Sequence, residues 1–565
     1  MDGRGGPGLG WRMDVTSLYG RRATQRWERM SVGDLFERVT WSYPDKEAIV
    51  AWEGAFAHPE NQRLTYRQAD ELANRVAHGL LERGLQRGDR VIMFCDNTTE
   101  AYVFKFGVAK AGMTVVPLNT MLAPDVIGHL LARTEPAFTI VDAELWPRAA
   151  GAFGAQGMTP DVTIEIGGPP VPGSTGFGAF VQGRPATEPD VEIHADDIWE
   201  IVFTSGTTAL PKGAMISHAY SHMTGASFAL SLTRRLAFEC DLKLCGFLPL
   251  VFHSAHQIVG LPAFFAGGTL IMGRGLDAAN VARAVTRERA TCLWGGAPAM
   301  LTDIVAAVAR EPMSYDFSSV TTALYGWTSA PPGLIAALER LCGPDLVTFE
   351  ILGQTEAMAC FRFWPGQWPE TFHRHAPERN YVGVPSPILA SDVVDEDGAS
   401  LRDRPGVPGE VVYRSPVMTA GYYQDVEATH EAFRGGWFHS GDLCEYDADG
   451  LRVMVDRSKD IVKSGGENVS SMRVESVLVQ HPHVVKAAVV GLPHPQWGEA
   501  VTAFVIAADG AVPDPDELIA FARERLGGFE TPKRVVVVEA LPVTVGSKVL
   551  KYQLRATHAG LYAEG

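Results

Sequence analysis

The chain has 565 residues and a formal net charge of −17, with 49 lysines and arginines against 66 aspartates and glutamates. That length exceeds what one compact core accommodates, so at least two domains are expected. The acidic balance excludes a general binder of nucleic acid or of anionic membrane surface, while leaving room for local basic sites that hold a phosphorylated small molecule.

Met1 to Asp14 is Gly-rich, carries two arginines and lacks an apolar core. It is therefore no signal peptide, and residues 1–30 are expected to be a disordered tail. Leu64 to Leu85 reads as an amphipathic helix. Thr65 and Gln68 form a capping box, and Leu72, Val76 and Leu80 recur at helical spacing. Val91–Phe94 reads as a strand, Glu100–Ala111 as a helix and Thr114–Pro117 as a strand. This alternation implies a doubly wound parallel sheet. Residues 150–190 are rich in Gly and Pro with little periodicity, which predicts a connecting surface segment. The apolar run Ile258–Gly273 is short and interrupted by Pro262 and glycines, so it reads as buried core and no transmembrane segment is expected. Cys95, Cys240, Cys245, Cys292, Cys342, Cys360 and Cys444 are scattered, with no CxxC pair. Free thiols in a cytoplasmic protein are the expectation, with no zinc site. After about residue 456, strands over Val484–Leu492 and Ala500–Ala507 and a helix over Pro515–Leu526 indicate a small α+β domain.

One stretch carries chemistry. The strand-like run Ile198–Phe203 leads into Thr204-Ser205-Gly206-Thr207-Thr208-Ala209-Leu210-Pro211-Lys212-Gly213. Small and hydroxylated residues in such numbers contribute little to a core. They offer backbone N–H groups, hydroxyls and the Lys212 charge, a donor set suited to a polyphosphate. The P-loop pattern is absent, because no Gly-Lys-Ser/Thr closes the loop.

This stretch resembles the phosphate-binding motif of the adenylate-forming superfamily: acyl-CoA synthetases, luciferase-like enzymes and peptide-synthetase adenylation domains. Ala209 stands where that family has Gly. The resemblance extends from about residue 30 to 555, with further motifs in the family's order. Pro249-Leu250-Val251-Phe252-His253 is similar to the segment lining the acyl tunnel, with His253 preferred to His256. Thr328-Ser329-Ala330-Pro331 resembles the adenine loop, with Thr328 replacing Gly. Leu352-Gly353-Gln354-Thr355-Glu356 resembles a Tyr-Gly-x-Thr-Glu motif with Leu in place of Tyr. Trp437-Phe438-His439-Ser440-Gly441-Asp442 and Arg457 match the ribose-binding segments. Ser464-Gly465-Gly466-Glu467-Asn468 looks more like the CoA ligases than the peptide synthetases. Lys548 aligns with the adenylation lysine, preceded by Ser547 rather than Gly, and Glu530 stands where relatives often have Lys.

The resemblance implies an α/β protein. A large domain over 31–456, of doubly wound sheets plus a β-barrel-like subdomain, would precede a small mobile α+β lid over 457–565, hinged near Lys459. It implies an Mg²⁺- and ATP-dependent carboxylate–CoA ligase that forms an acyl-adenylate and releases pyrophosphate and AMP. Lys548, Glu356 and His253 would be catalytic. ATP and AMP would be held by Thr204, Ser205, Gly206, Thr207, Thr208, Lys212, Ser329, Ala330, Pro331, Leu352, Gly353, Thr355, Asp442, Arg457 and Lys548. Mg²⁺ would sit at Thr204 and Glu356, and coenzyme A at Lys463, Ser464, Gly465 and Gly466. The acyl pocket would comprise Phe252, His253, Ala323, Tyr325, Trp327, Gly353 and Gln354. A small carboxylic acid and coenzyme A would be the partners, and the resemblance allows a homodimer. Two other readings stand beside this one at the sequence level. One is an adenylating enzyme that loads a carrier-protein phosphopantetheine. The other is a non-catalytic nucleotide-binding relative.

Overall fold

The computed structural model describes residues 29–204, 211–376, 378–543 and 549–563, without the side chains of residues 359 and 360. The expected tail therefore lies almost wholly outside the described residues. Three sheets organise the rest.

The first has seven strands in the order Thr175–Gly176, Val162–Ile164, Phe138–Asp142, Arg90–Phe94, Thr114–Pro117, Ile198–Thr204 and Lys212–Ser217. Every pair is parallel except the last. Helices Tyr66–Glu82 and Thr99–Lys110 pack against each other and supply one face of the core. The Tyr66–Glu82 helix begins at the expected capping box, with Thr65 and Gln68 each satisfying the other's backbone N–H. The segment 150–190 departs from expectation. Its two short strands extend the sheet, and Phe177 and Phe180 are buried beneath its edge. Strands of two or three residues are too short to show an alternation in sequence.

The second sheet runs through thirteen strands. Its parallel half joins Glu47–Ala51, Thr269–Met272, Lys243–Cys245, Cys292–Trp294, Thr322–Gly326 and Val347–Gln354. An antiparallel half follows through Ala357–Phe363, Asn380–Pro385, Arg452–Arg457, Phe438–Tyr446, Gly409–Arg414 and Ala390–Val394. This half is the subdomain expected to be barrel-like. Strand Val347–Gln354 belongs to both halves and ends at the Gly353–Glu356 corner.

The third sheet, within 462–537, packs helices Ser471–Leu478 and Pro515–Arg523 around a separate core of Val462, Leu478, Val489, Val501 and Leu518. Two of its strands, Val484–His494 and Gly498–Ala507, are those read from sequence. No described helix is long and apolar enough to cross a membrane.

The hairpin of Ile198–Thr204 and Lys212–Ser217 is tied to the chain's start. His218, first residue of helix His218–Leu232, accepts at Nδ1 the N–H of Val32, 3.1 Å away. Burial, ahead of the pull of Asp197 and Asp34, lowers its pKa to about 4. An unfolded imidazole titrates near 6.5, so the unfolded chain binds the proton more readily. Stability is then full above pH about 6.5 and falls by about 3 kcal/mol as pH drops to about 4. His218→Asn keeps an acceptor without a titration. Its unfolding free energy, measured by urea between pH 4 and 7, is expected to be flatter than that of the unmodified chain.

Candidate active site

A cavity of about 640 Å³ opens where the first two sheets meet the start of the third unit. Thr204, Pro211 and Lys212 line it from the hairpin, Phe252 and His253 from the segment after Lys243–Cys245, and Leu352 to Glu356 from the strand corner. Gly441, Asp442 and Arg457 to Lys459 complete the wall. Stretches some 250 residues apart in sequence thus converge because each lies in a strand or next to one.

Thr204 and Lys212 are the last pair of the hairpin, and Thr204 Oγ1 donates to the Lys212 carbonyl at 3.3 Å. They bracket Ser205, Gly206, Thr207, Thr208 and Ala209, which lie outside the described residues. Lys212 Nζ sits 5.1 Å from the ring centre of Tyr422, whose hydroxyl donates to Glu356 Oε1 at 2.9 Å. Burial first, and the Glu356 carboxylate second, raise the Tyr422 pKa, so the phenol keeps its proton as a donor. Glu356 is buried, and its backbone carbonyl is anchored by Thr419 N–H at 2.7 Å. In the sequence Tyr422 belongs to a Gly421-Tyr422 pair that continues the motif series but carries no assigned role.

Asp442 and Arg457 face each other across the antiparallel strands, with Arg457 Nε 3.2 Å from Asp442 Oδ1. Asp442, offset by burial and followed by Asp460 and Glu356, holds the Arg457 pKa above its ordinary value. Glu410 organises the turn before them. Its Oε1 accepts from Gly441 N–H at 3.0 Å, and its Oε2 lies 2.7 Å from His439 Nδ1 and accepts from Arg434 at 2.9 Å. Gly441 has φ +69, a conformation that suits a residue without Cβ.

His253 is buried, with Nδ1 3.3 Å from Glu200 Oε2 and Nε2 3.2 Å from Tyr220 Oη. A carboxylate only accepts, so Nδ1 carries a proton. Tyr220 Oη donates to the Thr355 carbonyl at 3.0 Å and accepts from Met358 N–H at 2.8 Å. His253 is thereby linked to the Thr355–Glu356 corner. Behind it, Glu200 pairs with Lys105, and both side chains are fully buried. Burial opposes the charge on Glu200, but Lys105 and then His253 hold its carboxyl well below the usual range. His256, the alternative histidine, faces Tyr102 at 3.3 Å, away from the cavity lining.

The remaining expected residues fall in several places. Trp327, Gly353 and Gln354 line the cavity. Ala323 and Tyr325 do not, and this corrects the expected acyl pocket. Side chains alternate along Thr322–Gly326, and these two point into the core beneath helices Ala278–Glu288 and Pro298–Arg310. Ser329, Ala330 and Pro331 form the turn into helix Pro332–Cys342. Ala330 is buried in that same core, and none of the three lines the cavity. Ser464 ends one strand of a hairpin whose turn is Gly465 (φ +63) and Gly466 (φ +89), with Lys463 N–H on Glu499 at 2.8 Å. This turn is outside the cavity lining in the present arrangement. Lys548 lies outside the described residues, between Val543 and Val549, which form an antiparallel bridge.

Lys459 lines the cavity beside Arg457, and burial, then Arg457, lowers its pKa. Around it, Arg555 donates to the Lys459 carbonyl at 3.3 Å and to Asp460 at 2.8 Å. Asp456 Oδ2 accepts from the N–H and hydroxyl of Ser471, both at 2.6 Å.

A model of the AMP-binding enzyme family matches residues 36–423, and that of the AMP-binding enzyme C-terminal domain matches residues 473–548. The chain belongs to the AMP-binding enzymes. A feruloyl-CoA synthase of Amycolatopsis sp. is 32% identical over 516 residues, covering 91% of this chain and 98% of that one. The long-chain-fatty-acid–CoA ligase FadD13 of Mycobacterium tuberculosis is 29% identical, covering 93% and 99%. Among solved structures, ATP-bound MatB from Rhodopseudomonas palustris superposes with a TM-score of 0.78 at 27% identity, covering 94% and 99%. This AMP-binding enzyme is thus a member of the adenylate-forming acyl-CoA synthetase superfamily, an AMP-forming acid–thiol ligase.

The buried Lys105–Glu200 pair makes a stability prediction. Removing one partner strands a charge, so Lys105→Met is expected to cost about 3–5 kcal/mol. Lys105→Met with Glu200→Leu recovers most of that loss. Equal losses in urea unfolding would show that the pair does not hold this wall.

Proposed function

We propose that this enzyme joins a carboxylic acid to the thiol of coenzyme A through an acyl-adenylate made from ATP, as a cytoplasmic ligase. The observation that carries the reading is one cavity in which an apolar, aromatic wall meets Lys212, Glu356, Asp442 and Arg457. The aromatic end suits the acid and the charged end suits the nucleotide.

In the first step a substrate carboxylate oxygen bonds to the α-phosphorus of ATP, and the bond between the α- and β-phosphates breaks to release pyrophosphate. Asp442, an ionised acceptor, takes hydrogen bonds from the ribose hydroxyls, and Arg457 holds its orientation. Lys212, the N–H groups of residues 205–210 and Lys548 supply positive charge. Two unit charges about 4 Å apart repel by roughly 4 kcal/mol at an effective dielectric of about 20. Pre-placed cations remove that cost before reaction. Thr204 and Glu356 fit Mg²⁺, which takes one carboxylate and completes its shell with phosphate and water oxygens. Glu356 offers Oε2, since Oε1 accepts from Tyr422. Bound there, the ion would neutralise phosphate charge.

In the second step the coenzyme A sulfur bonds to the acyl carbon and the bond to AMP breaks, with the thiol proton passing to solvent. This step needs space for a thiol in place of Lys548. A rotation of the lid (residues 457–565) about Lys459 would withdraw Lys548 and bring in Lys463 and the Ser464-Gly465-Gly466 turn, whose bare backbone admits a pantetheine arm.

Lys548→Ala is expected to slow acid-dependent pyrophosphate release about 10²–10³-fold, the scale of losing one preorganised electrostatic group. Thioester formation from supplied acyl-adenylate should largely survive. Equal loss of both half-reactions would reject this division of labour. Lys459→Pro, which stiffens the hinge, is expected to spare adenylate formation and stall thioester formation. Unchanged overall turnover would place the hinge elsewhere. Transfer to carrier-protein phosphopantetheine but not to coenzyme A, in a direct comparison, would contradict the assigned thiol.

A further inference from the structure

Among the described non-glycine residues, four have positive φ: Glu135, Arg289, Trp327 and Gln424. Glu135 and Arg289 close helices in the left-handed conformation that helix ends commonly use. Trp327 has no such excuse. It follows strand Thr322–Gly326, its φ is +70, and this large apolar residue is 41% exposed where it lines the cavity. Strain of this kind in a bulky residue persists where the surroundings hold it for a use.

What holds the ring is visible. It meets Trp294 edge-on at 5.9 Å between centres and lies over Gly296, where a Cβ would come within 3.4 Å of the indole. A second, small cavity of about 30 Å³ lies on the other side. Leu248, Trp294 and Trp327 line both cavities, and the far wall includes Val281, Met300 and Ile304. The two indoles are therefore a partition across what would otherwise be one deeper apolar tunnel. Trp294 is 5% exposed, and its Nε1–H has no hydrogen-bond partner among the described residues. A buried donor left this way favours an occupant that brings an acceptor.

From this partition we infer that Trp327, backed by Trp294, ends the acyl site and selects a planar aromatic acid with a ring oxygen over a flexible chain of equal size. The inference rests on the ligase reading above. An aromatic face offered by the wall gains from stacking with a flat ring. A long chain has to enter the small cavity, which the strained backbone keeps shut.

The test compares acid-dependent pyrophosphate release for 2-naphthoate, 6-hydroxy-2-naphthoate and decanoate. In the unmodified enzyme kcat/KM for 2-naphthoate is expected to exceed that for decanoate about 10-fold or more, within the range that pocket shape commands. Glycine accepts the positive φ, so Trp327→Gly removes the partition without adding strain. It is expected to cut the naphthoate-to-decanoate ratio about 10-fold or more by raising the decanoate value. Trp327→Phe, which keeps a ring, should retain the original order. Trp294→Phe should bring the two naphthoates to nearly equal rates. A native preference for decanoate, an unchanged ratio in Trp327→Gly, or a hydroxyl preference that survives Trp294→Phe would overturn the inference. If none of a wide panel of acids releases pyrophosphate from the unmodified enzyme, the ligase reading itself fails, which is a separate result.

Discussion

Two anions have to touch in this enzyme. A carboxylate must come within bonding distance of a phosphorus already surrounded by negative oxygens, and an exposed site would leave both in their hydration shells. Under the proposed function, the fold meets the constraint by arranging charge before substrate arrives. Lys212 is steered by the Tyr422 ring, and Tyr422 is steered by Glu356. Arg457 is held across a strand pair by Asp442, whose turn is fixed by Glu410. These groups stand in or beside strands, where backbone hydrogen bonding limits their freedom, so little reorganisation is left for the reaction.

The acyl side follows a different logic. Its wall is apolar at the cavity, yet behind His253 lies a fully buried lysine–glutamate pair. Such a pair is seldom worth its desolvation as a stabiliser, and an apolar substitute would serve as well. Its effect here is orientation: Glu200 fixes one ring nitrogen of His253 while Tyr220 meets the other and reaches Thr355. The His253 and Thr355 sides of the cavity thereby share one boundary. The junction with the small C-terminal unit is built differently. Val455 and Asp456 of the large unit accept from Ser470 and Ser471 at the start of helix Ser471–Leu478, each at 2.6 Å, and Met472 packs against the large unit's core, so polar contacts carry much of this junction. Polar contacts of this sort can be exchanged at modest cost when a lid turns.

Much of this was legible in the order of residues. The helix from Tyr66 announced itself through Thr65 and Gln68, and strands such as Arg90–Phe94 through β-branched runs. The motifs around Lys212, Glu356, Asp442 and Arg457 stand out in the sequence by residue type and order, and the cavity gathers all four. Tyr325 was misplaced because the sequence shows that a strand alternates but not which face meets the substrate. Lys105 and Glu200 are 95 positions apart, with no local pattern to pair them. The partition at Trp327 depends on one backbone angle and on a ring from another strand, and neither is written in composition or spacing.

The most direct measurement follows the oxygen atoms. With the acid labelled by ¹⁸O in its carboxylate, attack at the innermost phosphorus carries one label into the phosphoryl group of AMP, and mass spectrometry of the released nucleotide should find it there. Unlabelled AMP, or a nucleotide released as ADP with the label in inorganic phosphate, would mean that the two anions do not meet at that phosphorus.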